Sequence, residues 1–135
     1  MAARYGRREE LAGYAAQIEA RGDVITSRWL RGNHQVTDDG LSGDAEGTVH
    51  ERERFALEDM ADLLAADMLI AFSEPPRSAF SRGGRHVEFG IALGVGLPVV
   101  VIGPRENVFH CLPGVRVFST WGEMQWGFLA DPQIE

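Results

Sequence analysis

One segment of the chain, SRGGRHVEFG, brings a glycine pair and a carboxylate together. Apolar residues 68–72 precede it and apolar residues 98–102 follow it, which predicts two strands of a parallel sheet joined by a helix. If Gly83 and Gly84 open that helix, its free N–H groups and the positive end of its dipole attract an anion. Glu88 follows one turn later. The segment therefore predicts a site for a phosphorylated or sugar-like ligand beside a carboxylate.

Glu88 has two interpretations from the sequence. A glutamate in the first turn often only stabilises the start of a helix, by ~0.3–1 kcal/mol. Glu88, however, follows a glycine pair and stands among the apolar residues Val87, Phe89 and Ile91, which favours a chemical role. A carboxylate at a helix N-terminus stays ionised, and an ionised carboxylate suits a nucleophile better than an acid. Both interpretations remain open at this point.

Asp59 is the second candidate carboxylate. Helical spacing predicts a helix from about residue 50 to 65. The residues expected on its inner side are Phe55, Met60, Leu63 and Leu64. Asp59 interrupts this face, whereas Glu58 and Asp62 are expected to lie off it. Partial burial raises the pKa of a carboxyl group and allows it to hold a proton for general acid catalysis. The alternative is that Asp59 lies at a solvated edge of the face.

Further candidates follow the predicted strand ends, where parallel α/β sheets bind ligands. They are Arg4, Tyr5 and Arg7 near the N-terminus, Arg82 and Arg85 around the glycine pair, and Arg105, Asn107 and His110 after residues 98–102. Arg82 and Arg85 are expected to clamp an anion in bidentate fashion. Each residue of the last group has an alternative role in satisfying loop backbone groups.

The order of elements predicts the fold class. Besides the segments above, we expect a helix from Arg7 to Ala20, a short strand from Val24 to Trp29, a loop over 31–47, a strand from Val115 to Phe118 and a helix from Trp121 to Leu129. This alternation predicts a single α/β domain over residues 1–135: doubly wound, flavodoxin-like or Rossmann-like, in three layers, with a mostly parallel sheet of about five strands. Only a few residues precede the first helix, so the first strand is expected to be truncated, unless the true start codon lies upstream.

Composition excludes several classes of protein. The net charge is −7 and the basic residues are scattered, which argues against a nucleic-acid polymer as partner. No apolar run reaches the roughly 20 residues of a membrane span. The single cysteine, Cys111, excludes an internal disulfide and favours the cytoplasm, and we expect it to be buried. All 13 basic residues are arginines, so lysine chemistry is excluded, and the four histidines lack metal-binding spacing. We expect neither a metal nor a cofactor.

Two stretches together resemble a known family. They are EDMADLLAAD over 58–67 and GRHVEFG over 84–90. The chain is similar over most of its length to the nucleoside 2-deoxyribosyltransferases and to their relatives, the 2′-deoxynucleoside 5′-phosphate N-hydrolases and the cytidylate N-glycosidases. The resemblance implies that Glu88 is the nucleophile that attacks C1′ and that Asp59 handles the proton. It also implies that Asp67 and the first loop, residues 2–8, contact the substrate.

The resemblance implies a function as well. Such an enzyme releases the base of a (2′-deoxy)nucleoside or its 5′-monophosphate, by hydrolysis or by transfer of the deoxyribosyl group to another base. It would act as a homodimer or larger assembly in which loop 105–110 of a neighbouring subunit completes the site. The chain departs from the family where Arg82 and Gly83 replace a phosphate-binding serine. The alternative function is a non-catalytic nucleotide-binding or sensing module of the same fold.

Overall fold

The computed structural model describes residues 1–31, 46–78 and 83–129. The chain forms two compact units. The helical unit is Arg8–Ala66, and the sheet unit combines Met1–Arg7 with Asp67–Glu135. The predicted loop over 31–47 lies mostly outside the described residues, as does Arg82.

The helical unit contains helix α1, Arg8–Ala20, and helix α2, Glu46–Leu64. Both helices contact a short 3-10 helix, Arg28–Leu30. The predicted first helix is confirmed, whereas α2 begins several residues earlier than its periodicity indicates. Buried side chains recur at helical spacing along α1 (Leu11, Ala15, Ile18) and along α2 (Phe55, Leu63).

The predicted strand Val24–Trp29 is wrong, because its polar groups bond to α2 instead of to another strand. The carboxylate of Asp62 accepts hydrogen bonds from Arg28 N and Arg28 Nε, both at 2.8 Å. Thr26 Oγ1 donates to the carbonyl oxygen of Asp62 at 2.8 Å. These contacts attach one backbone N–H and two side chains of the segment to α2, so tertiary contacts override its β-propensity.

The same contacts correct the predicted face of α2. Met60 and Leu64 were expected to be inside but are 45% and 55% exposed. Asp62, expected outside, is only 9% exposed because Arg28 binds it there. A buried carboxylate with a guanidinium and a backbone N–H as donors thus takes a place that hydrophobicity alone would give to an apolar residue.

The sheet unit is built on three parallel strands in the order β1-β2-β3. They are β1, Leu69–Phe72, β2, Val99–Ile102, and β3, Arg116–Phe118. Every residue of β1 and β2 is buried, as the near-continuous apolar runs of a parallel sheet require. β1 pairs with β2 in the register Leu69 to Val99, which confirms the two strands that the apolar runs predicted. The protein is therefore α/β, although the described residues contain three strands rather than about five.

The truncated first strand is present as a single bridge. Ala2 pairs in parallel with Ala71. Its N–H donates to Ile70 O at 2.9 Å, and its carbonyl oxygen accepts from Phe72 N at 2.8 Å. This bridge places the residues after Ala2 at the carboxyl end of β1.

Helix α3, Gly84–Gly94, connects β1 to β2. It begins after Gly83, whose φ of 86° favours glycine. It ends at Gly94, because Gly96 adopts a φ of 80° and closes a Schellman motif. In this motif Gly96 N donates to Leu93 O at 3.2 Å, and Leu97 N donates to Ala92 O at 2.9 Å.

The C-terminal part of the sheet unit packs against β3 and against Phe72, the last residue of β1. Helix α4, Trp121–Met124, is capped by Thr120, whose Oγ1 accepts from Glu123 N at 3.1 Å. It continues directly into a π-helical turn, Gln125–Leu129. Trp121 stacks on Phe72 with 6.1 Å between the ring centroids. Within the described ranges, no helix combines the length and the apolar character that crossing a bilayer would need.

Candidate functional site

The first loop lies beside the loop that follows β1. A 3-10 helix, Tyr5–Arg7, starts just after the bridge at Ala2. Arg4 Nε lies 2.7 Å from Glu74 Oε1, and Arg7 Nη1 lies 3.6 Å from the same oxygen. Arg7 Nη1 also donates to Ser73 O at 3.3 Å. The first loop is thus held at the edge of the sheet where α/β proteins bind ligands.

A buried ion pair joins α3 to the loop after β2. Arg85 Nη1 and Nη2 lie 2.5 Å and 2.6 Å from the two carboxylate oxygens of Glu106. The two side chains are only 7% and 11% exposed. Glu106 Oε1 also accepts a hydrogen bond from Glu74 N at 3.1 Å, so the loops after β1 and β2 share one carboxylate.

This ion pair determines the charge state of Glu106. The bidentate bonds from Arg85 hold the pKa of Glu106 at about 2, below its usual 4.5, although burial opposes the shift. Arg85, predicted to clamp an anion together with Arg82, instead has both terminal nitrogens on Glu106. The guanidinium charge is therefore matched within the protein.

His110 is held by the backbone of the same loop. Glu106 N donates to His110 Nδ1 at 3.0 Å, so the lone pair on Nδ1 is used and the proton of the neutral ring is on Nε2. Burial lowers the pKa of His110, against the opposing charge of Glu106. The edge of the ring packs against Phe89 with 4.9 Å between centroids. His86 Nε2 lies 3.6 Å from Glu106 Oε2.

The lowered pKa of His110 predicts a pH dependence of stability. Between the folded pKa and the ordinary value of 6.5, the unfolded chain binds more protons than the folded one. The free energy of unfolding should therefore fall as the pH decreases below about 6.5. Urea denaturation at pH 7.5 and pH 5.5 measures this loss of stability. The difference between the two pH values should be smaller in His110→Asn. An unchanged pH dependence in His110→Asn would contradict a neutral His110 as its source.

A small cleft opens among these residues. The ends of β1 and β2 form its floor, and its walls are Ser73, Arg85, His86, Phe89 and His110. It has room for about one water-sized group. Ser73 is buried, and its Oγ donates to Pro104 O at 2.6 Å.

The remaining predicted site residues differ in burial and in contacts. Glu88 is half-buried on α3, one turn after Arg85 and on the same side of the helix. Asn107 caps the 3-10 helix Val108–Cys111, because its Oδ1 accepts from Phe109 N at 2.9 Å. This is the alternative, structural role considered for it. Arg105 and Asp67 are exposed, Tyr5 is half-buried, and Cys111 is exposed rather than buried as expected.

The structure brings together Arg4, Arg7, Arg85 and His110 in the sheet unit. Asp59 is half-buried and belongs to the helical unit, so its role stays a prediction. Sequence reasoning missed the residues that connect the cluster, namely Ser73, Glu74, His86 and Glu106. The sequence does carry a signal for Glu74 and Glu106, because both follow a predicted strand closely. The prediction named only basic and amide residues at those strand ends. Among the described residues, no group of side chains has the composition of a metal site.

Comparison with known proteins found no matching family model, no matching curated protein and no matching solved structure.

Proposed function

We propose that this protein is an enzyme that cleaves the N-glycosidic bond of a (2′-deoxy)nucleoside or its 5′-monophosphate, as the nucleoside 2-deoxyribosyltransferases and related N-hydrolases do. The observation that carries the proposal is the convergence of the first loop, the loops after β1 and β2, and the N-terminal half of α3 at one end of a parallel sheet. Ligands of α/β proteins bind at this end. The full doubly wound fold and a homodimeric assembly are part of the same proposal.

Glu88 supplies the chemistry in this proposal. A carboxylate oxygen attacks C1′, the bond between C1′ and the base nitrogen breaks, and the base leaves with the electron pair. An acid gives the leaving base its proton, and the family resemblance implies Asp59 for this role. Water, or the nitrogen of a second base, then attacks C1′, gives its proton to the acid that protonated the leaving base, and releases Glu88 as a carboxylate. This is the two-carboxylate logic of retaining glycosidases, with a base as leaving group.

The first loop offers an exposed guanidinium to an anionic substrate. Arg4 contacts Glu74 through Nε, and its side chain is 41% exposed. A guanidinium that a ligand can reach binds a phosphate through charge-assisted hydrogen bonds. Arg4 is therefore the proposed contact of a 5′-phosphate.

The direct test is a panel of nucleosides and their 5′-monophosphates, with the released base followed by chromatography, in the presence and absence of a second base. We expect monophosphates to exceed nucleosides in kcat/KM by roughly 10- to 150-fold, the effect of a charge-assisted contact of about 1.5–3 kcal/mol. Arg4→Ala should remove most of this advantage. Arg21→Ala, which changes a surface arginine of the helical unit, is the matched control and should keep it.

The outcomes of the panel separate the alternatives. Equal or better turnover of plain nucleosides would overturn the preference for a phosphate and favour a transferase. Base release only when a second base is present would identify a transferase directly. Binding of the nucleotide without release of base from any substrate would overturn the catalytic proposal in favour of a nucleotide-sensing module.

A further inference from the structure

His110 presents a donor to the cleft. The residue is 3% exposed, and its Nδ1 accepts from Glu106 N, which leaves the proton on Nε2. Among the residues that the structure describes, the bond at Nδ1 is the one hydrogen bond of this side chain. His110 lines the cleft, so a ligand group bound there can supply an acceptor for Nε2.

Ser73 lines the same cleft and carries a possible acceptor. Its hydroxyl hydrogen is used, because Oγ lies 2.6 Å from Pro104 O. A hydroxyl oxygen has two lone pairs, so Ser73 Oγ can still accept a hydrogen bond. Ser73 is 4% exposed, which makes water outside the cleft a poor partner.

The size and the charge of the cleft limit which chemical group it can bind. The cleft holds about one water-sized group, which is too little space for a phosphate. Arg85, in the wall of the cleft, has its charge matched by Glu106. A neutral group that accepts from one partner and donates to another fits this environment, and a hydroxyl is the smallest group that does both.

We infer that this cleft is a subsite for a single hydroxyl group of the ligand, which accepts from His110 Nε2 and donates to Ser73 Oγ. The inference rests on the proposed function, in which the hydroxyl belongs to the sugar of the nucleoside. It assigns His110 and Ser73 to sugar recognition and leaves phosphate recognition to the first loop.

The test removes one hydroxyl of the ligand and the imidazole of His110, first separately and then together, and compares the losses in binding. Binding of a nucleoside, its 3′-deoxy analogue and its 5′-deoxy analogue is measured by calorimetry in a Glu88→Gln background, where the ligand is not consumed. We expect loss of one of the two hydroxyls to weaken binding about tenfold, as loss of a satisfied hydrogen-bonding group does. In the double variant Glu88→Gln with His110→Asn, removing that hydroxyl should have little effect on binding. Asparagine keeps an acceptor for Glu106 N but lacks the Nε2 donor.

Two further variants keep the test decisive. His50→Asn, at an exposed histidine of α2, is the matched control and should preserve the tenfold difference. Ser73→Ala should abolish the tenfold difference, because it removes the acceptor of the same hydroxyl. This variant replaces His110→Asn if the latter does not fold. A hydroxyl loss that costs the same with and without His110 would overturn the subsite and leave the cleft to a water molecule. Failure of every nucleoside and monophosphate to bind would overturn the proposed function and the subsite together.

Discussion

Glu88→Gln is expected to abolish base release, lowering kcat by about a thousandfold or more, which corresponds to roughly 4 kcal/mol of lost transition-state stabilisation. Glutamine keeps the shape and the helical preference of glutamate, so α3 should form unchanged. Its neutral amide cannot attack C1′ or stabilise the positive charge that develops on the sugar. The expected signature is therefore a protein that binds its substrate with a normal circular dichroism spectrum and no turnover.

A covalent intermediate gives this prediction a second measurement. Mass spectrometry of the acid-quenched native enzyme should show one glycosyl adduct on the peptide that contains Glu88. Glu51→Gln, at an exposed position of α2, is the matched control and should keep full activity. A loss of only a few-fold in Glu88→Gln would return this residue to the simpler role of stabilising the start of α3.

The connection from β1 through α3 to β2 could be predicted from the sequence because its signals are local. Two short apolar runs predicted the buried parallel strands, and the register from Leu69 to Val99 bears this out. Gly83 and Gly96 determine where α3 begins and ends, through backbone conformations that glycine adopts easily. Elements of this kind need no information about distant residues.

The errors occurred where a polar contact with a distant residue decides the structure. Val24–Trp29 has the composition of a strand, but Arg28 binds Asp62, which lies 34 residues away. Likewise, hydropathy placed Met60 inside α2 and Asp62 outside, since it assigns no favourable partner to a buried carboxylate. Such pairs depend on the folded chain and leave no periodic signal.

The centre of the candidate site shows the same limitation. Arg85 was predicted correctly to lie at the opening of α3, yet its partner was expected to be a ligand. Glu106, which lies 21 residues away, occupies both terminal nitrogens instead. The sequence indicated that this end of the sheet carries charge, but it could not indicate which charges neutralise each other.

That pairing makes Arg85 the most sensitive position for stability among the described residues of the cluster. The two side chains are 7% and 11% exposed, so removing one partner leaves a charge buried without its counterion. Such changes cost about 3–5 kcal/mol, a large part of the roughly 5–15 kcal/mol that stabilises a typical domain. The surface pair of Arg21 and Asp23 provides a comparison, because its side chains are 41% and 59% exposed.

Arg85→Ala is therefore expected to lower the free energy of unfolding by about 3–5 kcal/mol in urea denaturation at pH 7, and Arg21→Ala by about 1 kcal/mol or less. Because the pKa of Glu106 is lowered to about 2, the contribution of this carboxylate is complete above the ordinary value of 4.5 and is lost as the pH falls towards 2. Arg85→Ala should remove most of that acid dependence together with the stability.

Arg85→Met combined with Glu106→Leu should recover much of the lost stability, since it removes both charges and keeps apolar volume. An Arg85→Ala protein as stable as the native one, or one with an unchanged acid transition, would mean that the pair does not stabilise the fold.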